Sequence, residues 1–173
     1  MMNMSLKNNK TNKLLLVISV GIFLIFIPLV YLSILPKKFT VIVFEKNICK
    51  LASNNFSLKW THSVDKTPWR EDYVRSDDGF ILTHSIFRTF GAGVPHAGTV
   101  IESDDGMIHF EMNLPMPEIN WIIDQDVHST IILPPNQHWH IYQDAERYSE
   151  VSIRNQPLNF WQRLSIRNCH EPQ

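Results

Sequence analysis

Twenty-two consecutive residues without a charge, LLLVISVGIFLIFIPLVYLSIL from Leu14 to Leu35, constrain this chain more than anything else in it. A helix rising about 1.5 Å per residue covers roughly 33 Å over that run, against about 30 Å of hydrocarbon in a bilayer. Pro28 would break a soluble helix but is tolerated in a spanning one, and Tyr31 stands near one end, where aromatic residues favour the interface. A cleaved secretory signal is the competing reading. Its apolar region is shorter, about 7–15 residues, and ends at small residues, whereas Ser33-Ile34-Leu35-Pro36 offers no such site. The expectation is an uncleaved transmembrane anchor over 14–35.

Charge divides at the same place. The first 38 residues hold Lys7, Lys10, Lys13, Lys37 and Lys38 and no acid, while the remainder holds the other 11 basic groups and all 17 acids. A cationic tether therefore precedes a body of net charge −6. An acidic body is a poor nucleic-acid binder, because phosphate contacts require a basic face. Three lysines before the run and two after it favour a cytoplasmic N-terminus. The expected organisation is a cytoplasmic segment 1–13, the anchor 14–35, and an extracytoplasmic domain 39–173 on a single-pass inner-membrane protein. The only cysteines, Cys49 and Cys169, stand near the two ends of that domain. In an oxidising compartment they are candidates for a disulfide closing nearly all of it, the alternative being two unrelated thiols.

The body reads as mainly β, a small antiparallel sandwich or barrel. Short runs rich in Val, Ile, Phe, Trp and Thr recur between turn residues. Phe39 to Phe44 is continuously apolar. Phe56 to Val64 alternates, which predicts one face of Phe56, Leu58, Trp60, His62 and Val64. Asp77-Asp78-Gly79 predicts a turn before a strand from Phe80 to Phe90, and Ser103-Asp104-Asp105-Gly106 predicts a hairpin. Further strands are expected at Thr130 to Leu133, His138 to Tyr142, Val151 to Ile153 and Phe160 to Ile166.

Two stretches break strand chemistry. In WTHSVDKTPWREDY a strand ends in His62 and Ser63, and a charged turn follows. If that turn folds back, Glu71 can reach His62 and fix its tautomer. The plainer reading is a core histidine with one hydrogen bond. In RTFGAGVPH, Gly91 and Gly93 permit a backbone nest for an anion, and Arg88 would supply a forked cation for a carboxylate. The plainer reading here is an ordinary glycine turn. The spacing is neither a dinucleotide fingerprint nor a P-loop. His138 and His140 make at most half a metal site, so no metal and no cofactor is expected. Ser63 belongs to no nucleophile elbow.

Together HSVDKTPWREDY and FRTFGAGVP resemble an uncharacterised bacterial family of small exported or membrane-anchored β domains, over roughly Cys49 to Ile141. The matching positions are His62, Ser63, Val64, Glu71, Tyr73, Gly91, Ala92, Gly93 and Pro95. Members are often found beside TRAP-type tripartite transporters of the TAXI class, which import organic acids. What the resemblance implies is a transport-accessory role, with TRAP transporter subunits as partners, and one shared pocket for the two motifs. The expectation is a non-enzymatic domain that docks on transporter components or binds a small carboxylate ligand through His62, Ser63, Glu71, Arg88, Gly91 and Gly93. A hydrolase using His62 and Glu71 as an acid–base pair and a purely structural envelope protein are the alternatives.

Overall fold

Alternating apolar residues and regularly spaced turns produce the body of the protein, and a single apolar run produces the helix in front of it. The computed structural model describes residues 4–91, 93–95 and 98–169, with side chains from Lys13 onward except at Leu14 and Leu32. Ala92 and His96 of the glycine stretch lie outside the described residues. Helix α1 (Met4–Ile34) carries the apolar run and Pro28. Among the described residues no helix is long and apolar enough to cross a membrane.

Among the described residues eleven strands follow: β1 (Lys37–Phe44), β2 (Asn47–Leu51), β3 (Asn55–Thr61), β4 (Pro68–Ser76), β5 (Gly79–Phe87), β6 (Thr99–Ile101), β7 (Ile108–Met116), β8 (Glu118–Ile122), β9 (Thr130–Leu133), β10 (Gln137–Trp139) and β11 (Glu150–Leu158). They form two antiparallel sheets, one of four strands in the order β2-β1-β11-β8 and one of seven in the order β10-β9-β3-β4-β5-β7-β6. A single apolar cluster draws Ile42, Phe44, Val151 and Ile153 from the small sheet and Leu58, Trp69, Phe80, Phe87 and Ile131 from the large one. Two sheets sharing one core make a sandwich rather than a closed barrel. Each fully buried Ile or Phe in it contributes roughly 1.5–3 kcal/mol.

Several expectations need correction. The alternation from Phe56 ends at Thr61, not Val64. The His62 N–H bonds the Thr67 carbonyl and the Lys66 N–H bonds the His62 carbonyl, so the chain reverses there and leaves Val64 exposed. The charged stretch after it is not a turn but β4, paired with β3 from Asn55↔Val74 to Thr61↔Pro68. Its charges misled because Arg70 and Asp72 lie on the outer face, while Trp69 and Tyr73 alternate inward and are buried. Phe160 to Ile166 is not a strand but begins a helix, α2 (Phe160–Ser165). The Asn159 side chain accepts from the Gln162 N–H while the Gln162 side chain accepts from the Asn159 N–H, a capping box that overrides the β preference of Phe and Trp. The strand from His138 stops at Trp139, so His140 stands beyond it.

β5 also departs from simple alternation. Phe80 and Leu82 face the core, but past Thr83 the buried residues are Ser85 and Phe87. The pairing shifts register between Leu82 and His84, a bulge at Thr83 whose hydroxyl bonds the Asp72 carbonyl at 3.0 Å. One extra residue exchanges the two faces of a strand. That exchange turns Ser85 inward.

Cys49 of β2 is joined to Cys169 across a sequence separation of 120. The C-terminal segment runs beside β2, with the Cys169 N–H on the Lys50 carbonyl at 3.0 Å and the Lys50 N–H on the Arg167 carbonyl at 2.9 Å.

Candidate functional site

The site grows from the inward face of β4. Trp69, Glu71 and Tyr73 share that face because a strand places every second side chain on one side. Glu71 pairs across the sheet with Leu58 of β3 and Ser85 of β5. The Tyr73 hydroxyl donates to Glu71 Oε2 at 2.6 Å. Burial pushes the Glu71 pKa up from 4.5, and the hydrogen bonds from Tyr73 and, more weakly, Trp69 oppose that shift. The Tyr73 phenol is held strongly neutral, first by burial and then by the neighbouring carboxylate.

Ser85 Oγ is buried on this face without a hydrogen-bond partner, and Trp69 Nε1 has only its weak approach to Glu71. Trp69 is 3% exposed and Ser85 is fully buried. An unmade hydrogen bond at such a position costs about 1–3 kcal/mol.

Two cavities meet at Glu71. The first, about 340 Å³, is lined by Trp60, His62, Ser63, Trp69, Glu71, Gly93, Trp121, Ile122 and Val127. The second, about 640 Å³, runs under the loop after β5, between Pro95, Gly98 and Thr99 on one side and Tyr73, Leu82, Glu111 and Met112 on the other. The first has aromatic walls. Trp69 stacks on His62 with ring centres 5.1 Å apart and on Phe87 at 4.9 Å, while Trp60 lies 6.0 Å from both Trp69 and Trp121.

The two sequence motifs do come together, though not in the arrangement expected. His62, Ser63, Glu71 and Gly93 line one cavity. The carboxylate beside His62, however, is Asp65, 3.4 Å from Nδ1, and the hydrogen bond to Glu71 comes from Tyr73. The Asp65 backbone N–H also reaches His62 Nδ1, at 3.3 Å. Accepting that bond assigns the proton of a neutral imidazole to Nε2. Nε2 faces the glycine loop, since a Cβ placed on Gly93 would stand 3.9 Å from it. Gly93 has φ +86°, a backbone state that side chains oppose. Gly91 closes a turn by accepting the Val94 N–H at 3.4 Å, and a Cβ there would meet the Asp65 carboxylate at 3.1 Å. Arg88 is exposed just past the end of β5 and lines neither cavity.

Sequence reasoning missed Trp69, Ser85, Asp65 and Trp121 as members of this site. The period-two run Trp69-Glu71-Tyr73 is visible in the sequence and would have placed Glu71 on a buried face. Ser85 carried no such signal, because the bulge at Thr83 decides its direction. Elsewhere, a cavity of about 260 Å³ gathers His128, His138 and His140. Among the described residues no three His, Cys, Asp or Glu converge as a metal site.

The chain matches no curated protein and no solved structure. Residues 56–137 match the family model described as a domain of unknown function, DUF1850, a span that opens in β3, closes in β10 and includes every residue of the Glu71 site.

Proposed function

We propose that the protein is a membrane-tethered, extracytoplasmic solute-binding accessory, whose ligand sits at Glu71 between the two cavities. The observation that carries this reading is one desolvated carboxyl, Glu71, in an aromatic-walled cleft where the Trp69 indole N–H lacks a full hydrogen bond. Packing alone does not call for a carboxyl there. Trp69 Nε1–H is a donor and the Ser63 hydroxyl can be; a protonated Glu71 would add another. That inventory suits a carbonyl or carboxylate group, with the indole rings covering the apolar part of a small organic acid. An anionic ligand then binds best where Glu71 holds its proton, so affinity rises as pH falls. Arg88 plays at most an attracting role from outside the cleft. A role beside TRAP-type uptake systems follows only from the motif resemblance and belongs to this proposal.

The tether is supported by α1 itself. Its described side chains from Leu15 to Tyr31 are apolar on every side apart from Ser19, and nearly all are exposed. A helix apolar all round needs an apolar surrounding, and with Leu14 and residues 32–35 the run reaches the length of a span.

A thermal-shift series on the full chain in mild detergent, against mono- and dicarboxylic acids, tests the binding. At least one acid should raise Tm, more at pH 5.5 than at pH 8. Glu71→Gln should change the shift, and Arg88→Ala should retain most of it. Shifts that are the same in wild type and Glu71→Gln, or absent for every acid, would refute the assignment. A hydrolase built on a His62–Glu71 pair has less support, because each of these side chains is engaged by a different partner.

A further inference from the structure

We infer that α2 is a membrane foot: Trp161 and Leu164 lie in the outer headgroup–acyl boundary of the bilayer and fix the tilt of the β domain on it. This rests on the reading of α1 as a membrane anchor. The argument begins with strand register. Lys37, three residues after the end of α1, pairs with Leu158, two residues before the start of α2. The β1–β11 ladder therefore brings the exit of the anchor and the entry of α2 to the same end of the small sheet. Arg163 closes the gap, its guanidinium donating to the Ser33 carbonyl in the last turn of α1.

With Arg163 turned toward α1 and Leu158 buried behind it, the remaining face of α2 points away from the protein. Trp161 is 75% exposed and Leu164 67%. They are three apart, on one side of the helix. A six-residue helix is marginal in water by itself, and presenting Trp161 and Leu164 to water makes no contribution to the domain's core. A tryptophan and a leucine beside basic residues suit the bilayer boundary, where the indole sits at headgroup level.

Charge points the same way. Residues 1–44 and 151–169 contain no acidic residue, in a chain that has 17. Lys37 and Arg167 are exposed at this end. Two acids, Asp77 and Asp78, come to this end in the β4–β5 turn, which touches it through Lys38 Nζ on the Asp77 carbonyl and Asn155 Nδ2 on the Ser76 carbonyl. A surface that is apolar and basic suits a phospholipid headgroup layer better than solvent. It also differs from the acidic remainder of the domain.

The test is tryptophan quenching in the full chain reconstituted into phosphatidylcholine vesicles brominated at carbons 6 and 7. Trp161 is one of five tryptophans, and the other four lie in the sandwich. The expected result is partial quenching of wild type that disappears in Trp161→Phe, an exposed conservative change that leaves the fold intact. A carbonate wash of the same vesicles separates the two readings. Protein that resists the wash but shows no Trp161-dependent quenching overturns the foot and leaves the anchor standing, including the case in which this face serves a protein partner instead. Protein released by the wash overturns both.

Discussion

Removing the Tyr73 hydroxyl should produce a stability loss that depends on the ionisation of Glu71. The bond is short, 2.6 Å, and both groups are largely buried, so water cannot replace the donor. A hydrogen bond to a charged acceptor is worth about 1.5–3 kcal/mol, and one between neutral groups about 0.5–1.5 kcal/mol. Burial holds the Glu71 pKa above 4.5. For a group raised in this way the folded state binds the proton more tightly than the unfolded state. Its favourable contribution is complete below the unfolded value and is lost as pH rises through the folded one. Above that point Glu71 is an ionised buried carboxylate, and Tyr73 is its main support. Tyr73→Phe should therefore cost about 2–3 kcal/mol where Glu71 is ionised and about 1 kcal/mol where it is protonated, so the penalty should shrink as pH falls from 8 to 4.5. Urea denaturation of the full chain in mild detergent, followed by circular dichroism across this range, measures the difference. Glu71→Gln keeps the shape without the charge, so the Tyr73→Phe penalty in that background should be small and level with pH. A penalty in the wild-type background that is flat with pH, or larger in acid, would refute the assignment of Tyr73 as the partner of a desolvated carboxylate.

Two further outcomes follow from particular contacts. Replacing both Cys49 and Cys169 by serine opens a loop whose ends are 120 residues apart, which by chain entropy costs up to about 5 kcal/mol; a loss below about 1 kcal/mol in urea denaturation would show that the bond is not formed in solution. The Asp105 carboxyl is held down to about 2, first by the hydrogen bond from His109 and then by the Met107 N–H and the Ser103 hydroxyl. Carbon-detected NMR titration should find it ionised well below pH 3.8, with His109→Ala moving it back up; an unchanged titration in that variant would remove His109 as the cause.

Much of the fold could be read from residue patterns, and the exceptions have identifiable causes. The first strand, the Asp-Gly hairpin and the β character of the body followed from alternation and turn residues. Phe160 to Ile166 was misread because composition favours a strand, while a two-residue cap, Asn159 with Gln162, decides for a helix. The stretch from Pro68 was misread because four charged side chains suggested a turn, although Arg70 and Asp72 take the outer face of a strand on which Glu71 and Arg75 alternate with the buried Trp69 and Tyr73. Of the site, the meeting of His62, Ser63, Glu71 and Gly93 was legible as two motifs expected to share a pocket. Their actual partners were not, since Asp65 and Tyr73 are chosen by a reversal at Ser63–Lys66 and by strand parity.

Sequence alone determined the division of this protein into a cationic apolar leader and an acidic β body, because charge and hydropathy are properties of residues wherever they fold. It also supplied the glycines and the polar residues of the cleft. Tertiary structure decided what those residues face. Ser85 points inward only because a bulge at Thr83 exchanges the faces of β5, and Glu71 is desolvated only because β3 and β5 flank it. Likewise α2 meets the end of α1 only because β1 and β11, more than a hundred residues apart in the chain, pair in one register. Burial and direction are set by neighbours across a sheet, and those neighbours are distant in sequence.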